Sequence, residues 1–125
     1  FEDERLAITI ATGLIGDHSS VPLLRELLTD NEPNIRWDAA VALAKMQDTS
    51  SVKIINNLLD RKYLNSFPQL DESEINQAIM IAIRVTSILK DDRFYPNLKT
   101  LALDENLKVR NVAIKTLEKL YKINE

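Results

Sequence analysis

Apolar residues recur along this 125-residue chain at intervals of three and four rather than two. Ile35, Ala39, Leu43 and Met46 fall on one helical stripe, as do Val109, Ala113, Leu117 and Leu120. No segment sustains strand alternation, so the chain reads as all-α. Start signals divide it: Ser19 and Ser20 ahead of Val21-Pro22, Pro33 after Asp30-Asn31-Glu32, Thr49 and Ser50 after Asp48, and Asp71 with Glu74 three residues on. They predict seven helices near 3–16, 20–29, 33–47, 50–62, 72–90, 93–103 and 106–122. Connections are short, which favours antiparallel hairpins, except across 61–71.

Four segments then align: RLAITIATGLIGD (5–17), RWDAAVALAKMQD (36–48), IMIAIRVTSILKD (79–91) and RNVAIKTLEKLYK (110–122). Their start-to-start shifts are 31, 43 and 31 residues. A period of that size marks a helical solenoid, in which each hairpin buries its apolar face against its neighbours. The shift of 43 is 31 plus a 12-residue insertion in or beside RKYLNSFPQLDE, which carries Tyr63 and Phe67. A helix ending in an acidic turn precedes the second and fourth segments, so that Asp30 lies six residues before Arg36 and Asp104 six before Arg110. Small residues such as Ala11, Ala42 and Ala82 let helices approach closely. The four charged residues read as a structural ladder that bonds loop backbone and each other within or between units.

The second unit, through Ile35, Arg36, Ala39, Ala40, Ala42, Leu43 and Asp48, resembles the HEAT repeat. In particular it is similar to the short bacterial HEAT-like type also found in phycobilisome lyase subunits, whose units read roughly V-R-x-x-A-A-x-A-L-x-x-I-G-D followed by a Pro-containing helix. The third unit departs from that pattern, with Ile79 where Arg is expected, so its ladder should be weaker. The resemblance implies an α-α superhelix of about seven antiparallel helices, with the second helix of each unit lining a concave surface. Residues 1–125 read as one HEAT-like repeat domain. The chain opens at Phe1 rather than Met, its first helix is hydrophobic nearly all round, and its last has a polar outer face. Those features point to the C-terminal part of a longer array.

Composition changes this picture little. At 45% hydrophobic and 28% charged residues the chain is neither disordered nor membrane-spanning, and no apolar run approaches a transmembrane length. The absence of Cys excludes disulfides and thiolate metal sites, and fits either the cytosol or an exported protein without cross-links. Charge is more informative. Residues 1–60 carry 5 basic and 10 acidic side chains, whereas 61–125 carry 11 and 9. An overall net charge of −3 is a poor match to a phosphate backbone.

Candidate chemistry is sparse, and no catalytic, cofactor-binding or metal-binding residue is assigned. His18, the only His, lies in a turn, and one His without Cys makes no typical zinc site. The GLIG at 13–16 reads as a helix end on Gly16. Acidic clusters at 2–4, 71–74 and 91–92 lie at helix starts or turns, where they complement the helix dipole. The expected function is therefore a non-enzymatic scaffold that binds a protein partner on its concave face. If Ile35, Ala39, Leu43 and Met46 face the core, the outward stripe is Trp37, Val41 and Lys45. The same register gives Leu6, Ile10 and Leu14 in the first unit, Met80, Arg84 and Ile88 in the third, and Asn111, Lys115 and Lys119 in the fourth. Trp37, Met80 and Arg84 are expected on one exposed face, with the insertion as its lip. Self-association is expected through the apolar N-terminal helix. Rival readings implied by the resemblance are a lyase- or chaperone-type subunit acting on a prosthetic group, or a nucleic-acid-binding HEAT-like protein.

Overall fold

The computed structural model describes residues 18–121, and among them are seven α-helices. They are α1 (Val21–Leu27), α2 (Pro33–Lys45), α3 (Val52–Leu58), α4 (Arg61–Asn65), α5 (Glu72–Leu89), α6 (Tyr95–Leu101) and α7 (Leu107–Tyr121). No strand occurs among the described residues. The predicted helix 3–16, with Leu6, Ile10 and Leu14, lies outside them. The chain divides into two compact units, Phe1–Ile55 and Asn56–Glu125, with the boundary inside α3.

The repeat is visible in the element starts. Helices α1, α3 and α6 are each seven residues long and each follows a three-residue 3-10 turn, at His18–Ser20, Thr49–Ser51 and Asp92–Phe94. They begin at 21, 52 and 95, reproducing the shifts of 31 and 43. Helices α2 and α7 begin at 33 and 107, the same offset of 74 that separates α1 from α6. Helix α5 instead starts one turn ahead of the register. The cause is a reciprocal cap: the Glu74 N–H donates to Asp71 Oδ1 at 2.7 Å and the Asp71 N–H donates to Glu74 Oε1 at 3.0 Å. Part of the insertion thus lengthens α5.

The rest of the insertion corrects one boundary. The predicted helix 50–62 breaks at Asp60, whose backbone is extended (φ −105°, ψ 105°) and whose carboxylate accepts the Lys62 N–H at 3.0 Å. Asp60 caps the new helix α4 instead of continuing α3, because a short carboxylate serves an orphan N–H better than it serves a helix interior. Helix α4 is anchored by the fully buried Leu64 and packs on α5.

One local device recurs at every joint but that before α5. Asp30, Asp48, Asp60, Asp91 and Asp104 each accept the backbone N–H two residues ahead, at 2.9–3.0 Å. This Asx turn lets the chain reverse without leaving an unsatisfied donor. Two helices end on a left-handed residue. Gln47 takes a positive φ of 61° after α2, where Asp48 N–H donates to Leu43 O and Gln47 N–H to Ala44 O; Lys90 takes a φ of 53° after α5, where its N–H donates to Thr86 O. Both are left-handed helix terminations normally filled by Gly.

In the first unit, Leu24, Leu27, Ile35, Ala39, Leu43 and Met46 form the core between α1 and α2. In the second unit α6 packs on α7, and Leu98, Leu101, Val109, Ala113 and Leu117 are buried at the equivalent positions, offset by 74. Helix α7 also packs on α5, which buries Ile75, Ile79, Ala82, Ile83 and Val85. Ile79, which stands where the repeat has Arg, is wholly buried.

Trp37 departs from expectation. Only 7% of it is exposed, and α2 buries Ala40 and Ala44 as well as the predicted stripe. A stripe argument assumes a helix with one buried face. Helix α2 is buried on more than one, as its small Ala side chains permit.

Candidate functional site

The predicted ladder residues have distinct surroundings. Arg36 is half-buried, and its Nη1 donates to the carbonyl oxygens of Asp30 at 2.7 Å and Asn31 at 3.2 Å. The guanidinium therefore ties down the α1–α2 loop through backbone acceptors. Asp104 differs from the predicted pairing with Arg110. Its carboxylate receives both Nε (3.0 Å) and Nη2 (2.7 Å) of Arg61, the first residue of α4. The side chains of that pair are 18% and 8% exposed, so a bidentate, largely desolvated ion pair clamps the insertion to the α6–α7 loop. Arg110 is half-buried and forms no ion pair among the described residues.

Among the described residues, electrostatic perturbation is confined to capping and packing groups. Burial pulls the Asp48 carboxyl upward, but hydrogen bonds from Ser50 and Arg25 outweigh it and leave its pKa lowered; the Arg25 Nη2 lies 2.6 Å away. Arg93 lowers that of Asp91 through its side-chain and backbone N–H groups. Burial alone raises that of Asp38. Burial and then the charges of Asp92 and Asp91 raise Tyr121, whose ring meets Tyr95 edge-on at 4.7 Å. Among the described residues no group of three or more His, Cys, Asp or Glu is placed to hold a metal, and no helix is long and apolar enough to cross a membrane.

Three concavities compete as candidate sites. A cleft of about 690 Å³ beside α4 and α6 carries both charge signs, including Asp60, Lys62 and Glu105, next to the Arg61–Asp104 clamp. A smaller recess is formed by Asp92, Tyr95, Pro96 and Tyr121, but Lys99 already stands 5.5 Å from the Tyr95 ring. The third lies between α5 and the start of α7. It is a groove of about 800 Å³ lined by Ser73, Asn76, Gln77, Met80, Ile81 and Arg84 from α5 and by Asn106, Leu107 and Lys108 opposite. Arg84 also lines a second stretch of about 310 Å³, with Ser87, Val112, Lys115, Thr116 and Lys119.

This groove brings together four residues the repeat register singles out: Met80, Arg84, Lys115 and Lys119. Ile88 is half-buried and does not line it. Val41 is half-buried and Lys45 exposed on α2, in the other compact unit. Tyr63 and Phe67 do not line the groove either; their rings meet edge-on at 5.1 Å. Sequence reasoning missed Asn76, Leu107 and Lys108. Leu107 is 59% exposed at the first turn of α7, an apolar residue at a position the helical stripe does not select. Lys108 is its exposed neighbour.

Comparison with curated proteins and with solved structures returns no match. The family model for HEAT repeats matches residues 1–64, the stretch that contains α1, α2 and α3 with their 31-residue spacing. With hairpins that recur at that interval and small residues where α2 is most buried, the chain belongs to the HEAT repeat family.

Proposed function

We propose that this chain is a non-enzymatic protein-binding scaffold whose partner sits in the groove between α5 and α7. The observation that carries the reading is the gathering of exposed basic and part-exposed apolar side chains, Met80, Arg84, Leu107 and Lys115 among them, along one open surface. Arg and Met are enriched where proteins bind each other, and an open apolar floor with a charged rim is the usual interface anatomy. Among the described residues the lining offers no carboxylate, His or Cys for acid–base or nucleophilic work. A lyase- or chaperone-type role on a prosthetic group would call for aromatic and acidic residues, and the described residues of the lining include neither.

The repeat offset places Val41 and Lys45 of α2 in register with Lys115 and Lys119 of α7, so they are the first unit's contribution to the same kind of surface. Trp37, buried as it is, holds α2 in shape instead of meeting the partner. A photo-crosslinking amino acid at Met80 tests the reading in the protein's own cells. The expected result is a discrete protein adduct that disappears with Arg84→Glu. Adducts that form from Leu103, in the α4–α6 cleft, and not from Met80 would overturn it.

A further inference from the structure

Resting on that scaffold reading, we infer that the α5–α7 groove selects an acidic segment of a partner protein, one that carries an apolar anchor. The chain as a whole has a net charge of −3, yet among the described residues the groove is lined by Arg84, Lys108, Lys115 and Lys119 and by no carboxylate. All four are exposed, so their charge is available to a ligand. A lining of one sign, with no counter-charge beside it among the described residues, favours a negative partner.

The floor distinguishes a polypeptide from a nucleic acid. Met80, Ile81, Leu107 and Val112 supply apolar contact, and among the described residues no aromatic ring lines either stretch. Single-stranded nucleic acid needs stacking platforms as well as cations, so this groove lacks half of that recognition. An apolar side chain set among carboxylates satisfies both the floor and the rim. Asn76 and Gln77 add polar side chains to the α5 wall. From Ser73 to Ser87 the α5 wall runs roughly 21 Å at 1.5 Å per residue, enough for about six extended residues or four helical turns.

The test is a selection from a random peptide library on the full chain, followed by titration of the selected peptides at low and physiological salt, with a single-stranded oligonucleotide titrated in parallel. Expected are peptides rich in Asp and Glu around an apolar residue. Their affinity should fall about tenfold with Arg84→Glu or Lys115→Glu and should not change with Lys53→Glu, an exposed position on α3. Neutral or basic peptides that lose binding with Met80→Asp would overturn the acidic preference and leave the scaffold reading standing. Peptides indifferent to every groove substitution would overturn both. An oligonucleotide that binds more tightly than any peptide and responds to the same charge reversals would replace the protein partner with nucleic acid.

Discussion

The α1–α2 and α6–α7 hairpins are one design built twice. Their helices start at the same offset, carry Pro in the first turn of α1 and α6, and bury the same core stripe. They part on the outward side. Trp37, Ala40 and Ala44 of α2 are buried, whereas Asn111, Ile114 and Glu118 at the equivalent positions of α7 are exposed. The shared stripe specifies the hairpin; the other face decides whether a helix is enclosed or open to solvent. It is the second kind of helix, with α5, that forms the groove.

The largest break in that comparison should come from its single Trp. Trp37→Ala is expected to cost about 3–5 kcal/mol in urea unfolding, because a large side chain leaves a cavity, while Asn111→Ala should stay within about 0.5 kcal/mol. Equal small effects would mean that the two outward faces do not differ.

The loops provide the next contrast. Arg61→Ala leaves the buried Asp104 carboxylate without its bidentate partner and should cost about 2–3 kcal/mol, whereas Arg36→Ala loses two bonds to neutral carbonyls and should cost about 1–2 kcal/mol. Arg110→Ala should change stability by less than about 0.5 kcal/mol. An Arg110 effect as large as that of Arg61 would restore the pairing six residues apart.

These differences mark how far the sequence could be read. Period, helix number per hairpin and core stripe were legible because each rests on local spacing, and the register that selected Met80, Arg84 and Lys115 follows from the same arithmetic. The Asp104 partner was not legible, since Arg61 lies 43 residues away and belongs to an insertion outside the repeat. Nor was the burial of Trp37, because the stripe argument places one face of a helix inside and is silent on the other. Leu107 and Lys108 entered the groove through the fold, at a helix start where periodicity carries no signal. Asp60 falls inside the predicted helix 50–62 for a related reason: a capping Asp and an exposed helical Asp differ only in where the next N–H points.

Smaller effects sharpen the repeat itself. Gln47→Gly and Lys90→Gly should each stabilise by about 0.5–1 kcal/mol by relieving a left-handed backbone, seen as a rise in Tm. Smaller still is the effect of Asp38, whose register partner on α7 is Val112. Burial raises its pKa, so the native state keeps a proton that the unfolded chain has released, and stability falls as pH rises from the ordinary carboxylate value through the raised one. Asp38→Asn should therefore raise Tm at pH 7 and give no gain below the ordinary carboxylate range. Asp48 and Asp91 act in the opposite sense: their lowered pKa values contribute stability above the ordinary value that is lost as pH falls through the lowered one.

Amide hydrogen exchange of the full chain, with and without an acidic peptide selected on it, locates the working surface directly. The account predicts new protection across 73–88 of α5 and 106–119 of α7, reduced by Arg84→Glu. Protection confined to the α4–α6 cleft around Leu103, or an exchange pattern that the peptide leaves unchanged, would contradict it.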